Sequence, residues 1–224
     1  LVFATLVTAV GCGGRHHAAS GELEKILAAA PPSGIRRVVW DDVRGFYKQR
    51  ENEPAWVSKS APTKRAKDAW RVITSAGAHG LGAADYDEQA IARLIGELAD
   101  DDTDSSNRLA ELAQFDVRLT AALLGLGRDV AVGRTSPAAI DGRWKARRKA
   151  PDLAGTLNSA IAGSLAGWLD AIRPRHPEYG ALQKALADLT GVRQRGGWPK
   201  VPDGVLKRDV SNRSVVMLRQ RLAA

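Results

Sequence analysis

The chain has 224 residues, 44% of them hydrophobic and 26% charged, a balance that permits one medium-sized folded core and excludes a disordered polyelectrolyte. Its net charge of +8 comes from 33 Lys and Arg against 25 Asp and Glu, scattered except for short clusters at 145–149 and 193–195, so it describes a generally basic surface. A single cysteine excludes an intrachain disulfide framework and a thiolate zinc site.

The first ten residues, Leu1-Val2-Phe3-Ala4-Thr5-Leu6-Val7-Thr8-Ala9-Val10, are apolar and uncharged. That run is about the length of a signal-peptide core and shorter than the ~20 residues that span a bilayer. It leads into Gly11-Cys12-Gly13-Gly14, which resembles a bacterial lipobox, although Ala9 stands where Leu or Val is usual. The resemblance implies that Cys12 is lipidated and that the mature protein is a membrane-anchored lipoprotein of the periplasm. The competing reading makes Cys12 a buried thiol at the end of an ordinary strand. Residues 13–21 are small and polar, as in a flexible tether. His16 and His17 have no carboxylate or thiol neighbour in sequence, so no metal site is expected there.

From residue 22 onward helix follows helix. A short one over 22–30 is stopped by Pro31-Pro32. Ser33 is expected to cap the next, in which Ile35, Val38, Val39, Val43, Phe46 and Tyr47 form one apolar face. Pro54-Ala55-Trp56 marks a break, and the segment from Ser60 to Thr63 opens a helix carrying Ala66, Ala69, Trp70, Ile73 and Ala76 inward. That helix ends over 77–80, and Asp85 is expected to cap another with Ile91, Leu94, Ile95 and Leu98 buried. The longest periodic stretch, 107–132, includes Leu112, Asp116, Leu119, Leu123 and Leu126 and reads as the central element. Gly125 and Gly127 each cost about 1 kcal/mol inside a helix, which predicts close packing by a neighbour. Further helices are expected over 151–157, 165–172, 177–192 and 211–224. No strand pair with hairpin chemistry stands out, and the expected fold class is mainly α, a multi-helix bundle.

The motifs then acquire an order: Phe46-Tyr47-Lys48-Gln49-Arg50, Pro54-Ala55-Trp56, Pro62-Thr63, Gly80-Leu81 with Asp85-Tyr86, and Phe115-Asp116-Val117-Arg118-Leu119-Thr120. Gly133-Arg134, Asp141 with Trp144, His176-Pro177 with Tyr179, Gly196-Gly197-Trp198-Pro199 and Leu218-Arg219 with Arg221-Leu222-Ala223 follow. This set, from about Ile35 to Ala224, resembles the scaffold region of the large L,D-transpeptidases of Gram-negative bacteria. The resemblance implies a helical scaffold preceding a peptidoglycan-binding-type domain and a catalytic domain that joins diaminopimelate residues of two stem peptides. That family's nucleophile is a cysteine in a Ser-His-Gly-Cys motif, and no cysteine follows Cys12. The expectation is therefore a non-catalytic portion cut off before its chemistry, with no catalytic residue and no cofactor. Its organisation divides into a signal segment at 1–12, tether and short helix at 13–34, scaffold at 35–200, and at 201–224 a linker with the first helix of a peptidoglycan-binding-type domain. Peptidoglycan, a catalytic domain or wall enzyme, and the membrane through its anchor are the expected partners. Nucleic acid is not, because a protein carrying an export signal rarely meets it.

Other constellations have simpler readings. Asp100, Asp102, Asp104 and Glu111 imitate a calcium loop, but Ser105 replaces its turn glycine and Arg108 occupies a ligand position. Glu51 or Glu53 beside Trp56 suggests a glycosidase acid without an identifiable partner, and His79 and His176 read as capping or packing residues. Trp56 and Trp198 are expected to pin loops to the bundle. For contact with wall glycan the candidate is Trp144 in its basic surroundings of Arg143, Lys145, Arg147 and Arg148, against the alternative that it anchors a basic loop to the core.

Overall fold

The computed structural model describes residues 14–58, 61–99, 107–144, 149–204 and 206–223. Two compact units divide the chain at Pro174, and each is described by itself.

In the first unit α1 (Gly14–Ala28) already begins within the stretch expected to be a tether. α2 (Arg37–Lys48) buries Val39, Trp40, Val43, Phe46 and Tyr47, the stripe anticipated from its spacing. Its first turn is preceded by Arg36, with no side-chain cap, so Ser33 does not serve it. A short antiparallel pair follows, β1 (Val57–Ser58) with β2 (Ala61–Pro62), in register Val57 to Pro62 and Ser58 to Ala61. Two residues per strand leave no alternation to detect, which is why the sequence reading contained no hairpin. Thr63 then caps α3 (Lys64–Thr74) by accepting from the Ala66 amide, while its own amide and hydroxyl donate to the Trp56 carbonyl at 2.8 and 2.9 Å. Hairpin and helix start are thereby tied together.

A 3₁₀ turn at Ser75–His79 ends on Gly80, whose φ of 72° lies in the left-handed region that glycine enters without steric cost. A second 3₁₀ turn, Ala83–Tyr86, leads into α4 (Glu88–Glu97), where Ile91 is buried. Asp85 does not cap this helix; the N-terminal position belongs to Asp87, with φ 55° and no capping side chain. Asp85 is held instead by Arg134.

α5 (Arg108–Val132) is the axis of the unit, packed against α1, α2, α3, α4 and two later helices. Its Leu- and Ala-rich sequence is buried from Leu112 to Val130 on nearly every side, the mark of a core helix. After a single turn, α6 (Pro137–Ile140), come α7 (Leu153–Ala162) and α8 (Leu165–Ile172), capped by the Asp152 and Ser164 side chains. The expected close neighbour is met at Gly127 by α8: a Cβ there would stand 2.5 Å from Trp168 Cη2. Gly125 is roomier, with the Arg36 and Tyr86 side chains at 3.7 Å.

The second unit contains α9 (Pro177–Gln194) and α10 (Arg213–Ala223). His176 caps α9, accepting from the Glu178 amide at its Nδ1. α9 ends where Gly196 and Gly197 take φ 97° and 80°, with the Gly197 amide donating back to Val192. α9 has no buried residue, and Trp198 is 42% exposed.

Candidate functional site

Two buried carboxylates on α5 organise the first unit. Asp116 is fully buried and accepts the Tyr47 hydroxyl at 2.6 Å, the Trp56 amide at 2.7 Å, and the Ala55 and Val57 amides at 3.0 and 3.1 Å. Thr120, one turn on, shares a hydrogen bond with the Tyr47 hydroxyl and accepts Trp56 Nε1, both at 2.8 Å. Burial pushes the Asp116 carboxyl up from its usual range, while the amides of Ala55, Trp56 and Val57 and the Tyr47 hydroxyl oppose that shift. The Tyr47 hydroxyl is pushed well above the ordinary phenol value, by burial first and by Asp116 beside it. Sealed from solvent, this network clamps the break at Pro54-Ala55-Trp56 onto the central helix and has no opening through which to act on a ligand.

The second carboxylate, Asp129, lies nearer the end of α5. It accepts Arg36 Nη1 at 2.8 Å and the Tyr86 hydroxyl at 2.9 Å, with Arg134 Nε at 3.9 Å. Arg36 also donates to the Gly125 carbonyl. α5 stops at Gly133, whose φ 96° and ψ 151° belong to a region that only glycine tolerates. This turn brings Arg134 back against Asp85, whose hydrogen bond raises the guanidinium's pKa further. One turn before the stop, Arg128 donates to Asp42 of α2 at 2.8 Å. Burial raises the Asp42 carboxyl, and Arg128 works against that rise.

Around these ion pairs opens a cleft of about 880 Å³, lined by Arg36, Arg128, Asp129, Arg134, Thr135, Ser136, Val38 and Trp144, among others. Trp144 is 58% exposed and presents an aromatic surface to solvent at its rim. A much smaller recess of about 70 Å³ beside Arg36, Tyr86 and Arg118 has too little room for anything larger than a few waters.

Of the residues singled out in the sequence, Trp144 lines this cleft and Arg143 does not: it is tied to Asp141 by a bond at 2.8 Å and is almost fully exposed. Cys12, Lys145, Arg147 and the run Asp100 to Asp104 lie outside the described residues. Trp56 is fully buried and donates its indole N–H to Thr120 in the core. His79 is half-buried, and burial lowers its pKa. Among the described residues no cluster of His, Cys, Asp and Glu could hold a metal ion, and no helix is long and apolar enough to cross a membrane.

Sequence reasoning missed Arg36, Arg128 and Arg134 as a group because they come from three separate places in the chain. Asp129 carried a signal, an acid on the buried side of a Leu- and Ala-rich helix, and so did Asp116. Such an acid must be met by donors from elsewhere.

Residues 41–186 match the family model described as the Scaffold domain. No curated protein and no solved structure matches the chain.

Proposed function

Given that the chain belongs to the Scaffold domain family across residues 41–186, we propose that it is the non-catalytic helical scaffold of an L,D-transpeptidase-like protein of the cell envelope. Its work is to hold a catalytic domain or a wall enzyme in place during peptidoglycan cross-linking. The observation that carries this reading is that residues from separate motifs of the likeness, Tyr47, Ala55, Trp56, Asp116 and Thr120, meet in one buried network inside the matched span. Side chains that meet in a sealed network of this kind position the backbone, whereas acyl transfer needs an accessible nucleophile. In the same reading α10 opens a peptidoglycan-binding-type region, and Cys12 carries a lipid that retains the protein in the periplasm of a Gram-negative cell.

The purified chain, mixed with muropeptides, is expected to form no diaminopimelate cross-link detectable by mass spectrometry. Any such product would remove the scaffold reading. Labelled palmitate is expected in the wild type and absent from a Cys12→Ser variant.

The exposed Trp144 at an arginine-lined cleft favours a second reading, a stand-alone lipid-anchored module that binds peptidoglycan. Co-sedimentation with purified sacculi at low salt is expected on this reading. Protein left wholly in the supernatant would count against it.

A further inference from the structure

The cleft beside Trp144 has the chemistry of a site for a ligand that combines a flat ring with a carboxylate. Three guanidiniums line it, and the acid among the lining residues, Asp129, has a side chain only 3% exposed. The carboxylates that hold Arg128 and Arg134, Asp42 and Asp85, are not part of the lining. Each arginine is thus held by one acid, Arg36 by Asp129, Arg128 by Asp42 and Arg134 by Asp85, and a guanidinium has more N–H donors than one carboxylate accepts. The side chains of Arg36 and Arg134 remain 46% and 47% exposed. A planar fork of this kind matches a carboxylate two bonds at a time.

The rest of the lining adds to the match. Trp144 keeps 58% of its surface in water although a tryptophan gains strongly from burial. Val38, 42% exposed, and Val132 add apolar surface to the lining. Thr135 and Ser136 add hydroxyls that donate to or accept from a polyol. The volume of about 880 Å³ falls within the range of small-ligand pockets, about 300–1,000 Å³. A concave site of that size receives a strand end or a peptide and not the face of a bilayer.

We propose that this cleft binds the peptide-bearing sugar of a peptidoglycan strand, with Arg36, Arg128 and Arg134 on a stem-peptide carboxylate and Trp144 against the sugar ring. The assignment rests on the cell-wall reading above and names the ligand that such a scaffold would grip.

The test titrates the full chain with a soluble disaccharide-peptide released from sacculi, and in parallel with the same compound after its carboxylates are amidated. Trp144→Ala and Arg134→Gln change side chains that are largely exposed, and their thermal melts should overlay the wild type. Each is expected to weaken muropeptide binding about tenfold, as is amidation of the ligand. Sacculus co-sedimentation runs beside the titration. Wild-type protein that binds neither probe removes the proposal together with the wall-binding reading. Sacculus and muropeptide binding that both variants retain, or indifference to amidation, overturns the cleft assignment and leaves wall binding standing. Anionic phospholipid vesicles that bind as tightly as the muropeptide, with the same loss in the variants, also overturn it in favour of a lipid surface.

Discussion

Asp116 stabilises this fold by gathering donors that would otherwise be buried without partners. Asp116→Ala strands the amides of Ala55, Trp56 and Val57, each at a cost of about 1–3 kcal/mol, while the Tyr47 hydroxyl keeps Thr120. A loss of more than about 3 kcal/mol in urea unfolding is therefore expected, against about 1–3 kcal/mol for Tyr47→Phe, which leaves the amides satisfied. His79 sets a pH dependence. Its imidazole lies below the ordinary value of 6.5, through burial and the nearby Arg173, with Asp170 opposing. The folded state thus favours the neutral ring, and the stability it contributes is complete above about pH 6.5 and lost on acidification through the lowered pKa. His79→Gln should lose less stability than the wild type between about pH 7 and about pH 5, measured by denaturant titration at each pH. At this scale the sequence displayed the acids on α5 and concealed their partners: Asp116 falls in the helical period of 107–132, but Tyr47 lies 69 positions away.

Among the elements, α5 shows how one glycine rule gives two outcomes. Both Gly125 and Gly127 are helical, and alanine in either place gains up to about 1 kcal/mol of propensity. At Gly125 the new methyl meets ordinary contacts at 3.7 Å, so Gly125→Ala is expected to raise the melting temperature slightly. At Gly127 it collides with the Trp168 ring, which is itself held by a bond from Nε1 to Thr156, and Gly127→Ala should cost about 1–3 kcal/mol. Thermal melts of the two variants, shifted in opposite directions, check the assignment. The stripe of α2 and the length of α5 were legible because side-chain period is a local property. Helix starts were less so. His176 caps, one of the two roles read for it, and Thr63 caps the helix its segment opens, whereas Ser33 and Asp85 do not, because the N-terminal positions fall at Arg36 and Asp87. The β1–β2 pair escaped notice for a similar reason: the Thr63 amide and hydroxyl on the Trp56 carbonyl tie its two ends together, not a recognisable turn sequence.

For the whole molecule, burial predicts a gradient of local stability. Amides in the buried stretch of α5 should exchange with solvent slowest, at rates set by global unfolding of the first unit, and those of α9 much faster, since it buries no residue. Hydrogen-exchange mass spectrometry reads this directly; equal protection of both helices would contradict it. Membership in the Scaffold domain family is carried by residues 41–186. By itself the sequence determined the mainly α class, the central helix and the apolar stripes, because composition and period are local facts. Only the tertiary structure decided what surrounds Trp144. Its basic sequence neighbour Arg143 is tied to Asp141, and the arginines that share its cleft come from the start of α2, the end of α5 and the turn at Gly133. Coulombic and hydrogen-bonding partners are chosen by distance in space, and no period along the chain records that choice.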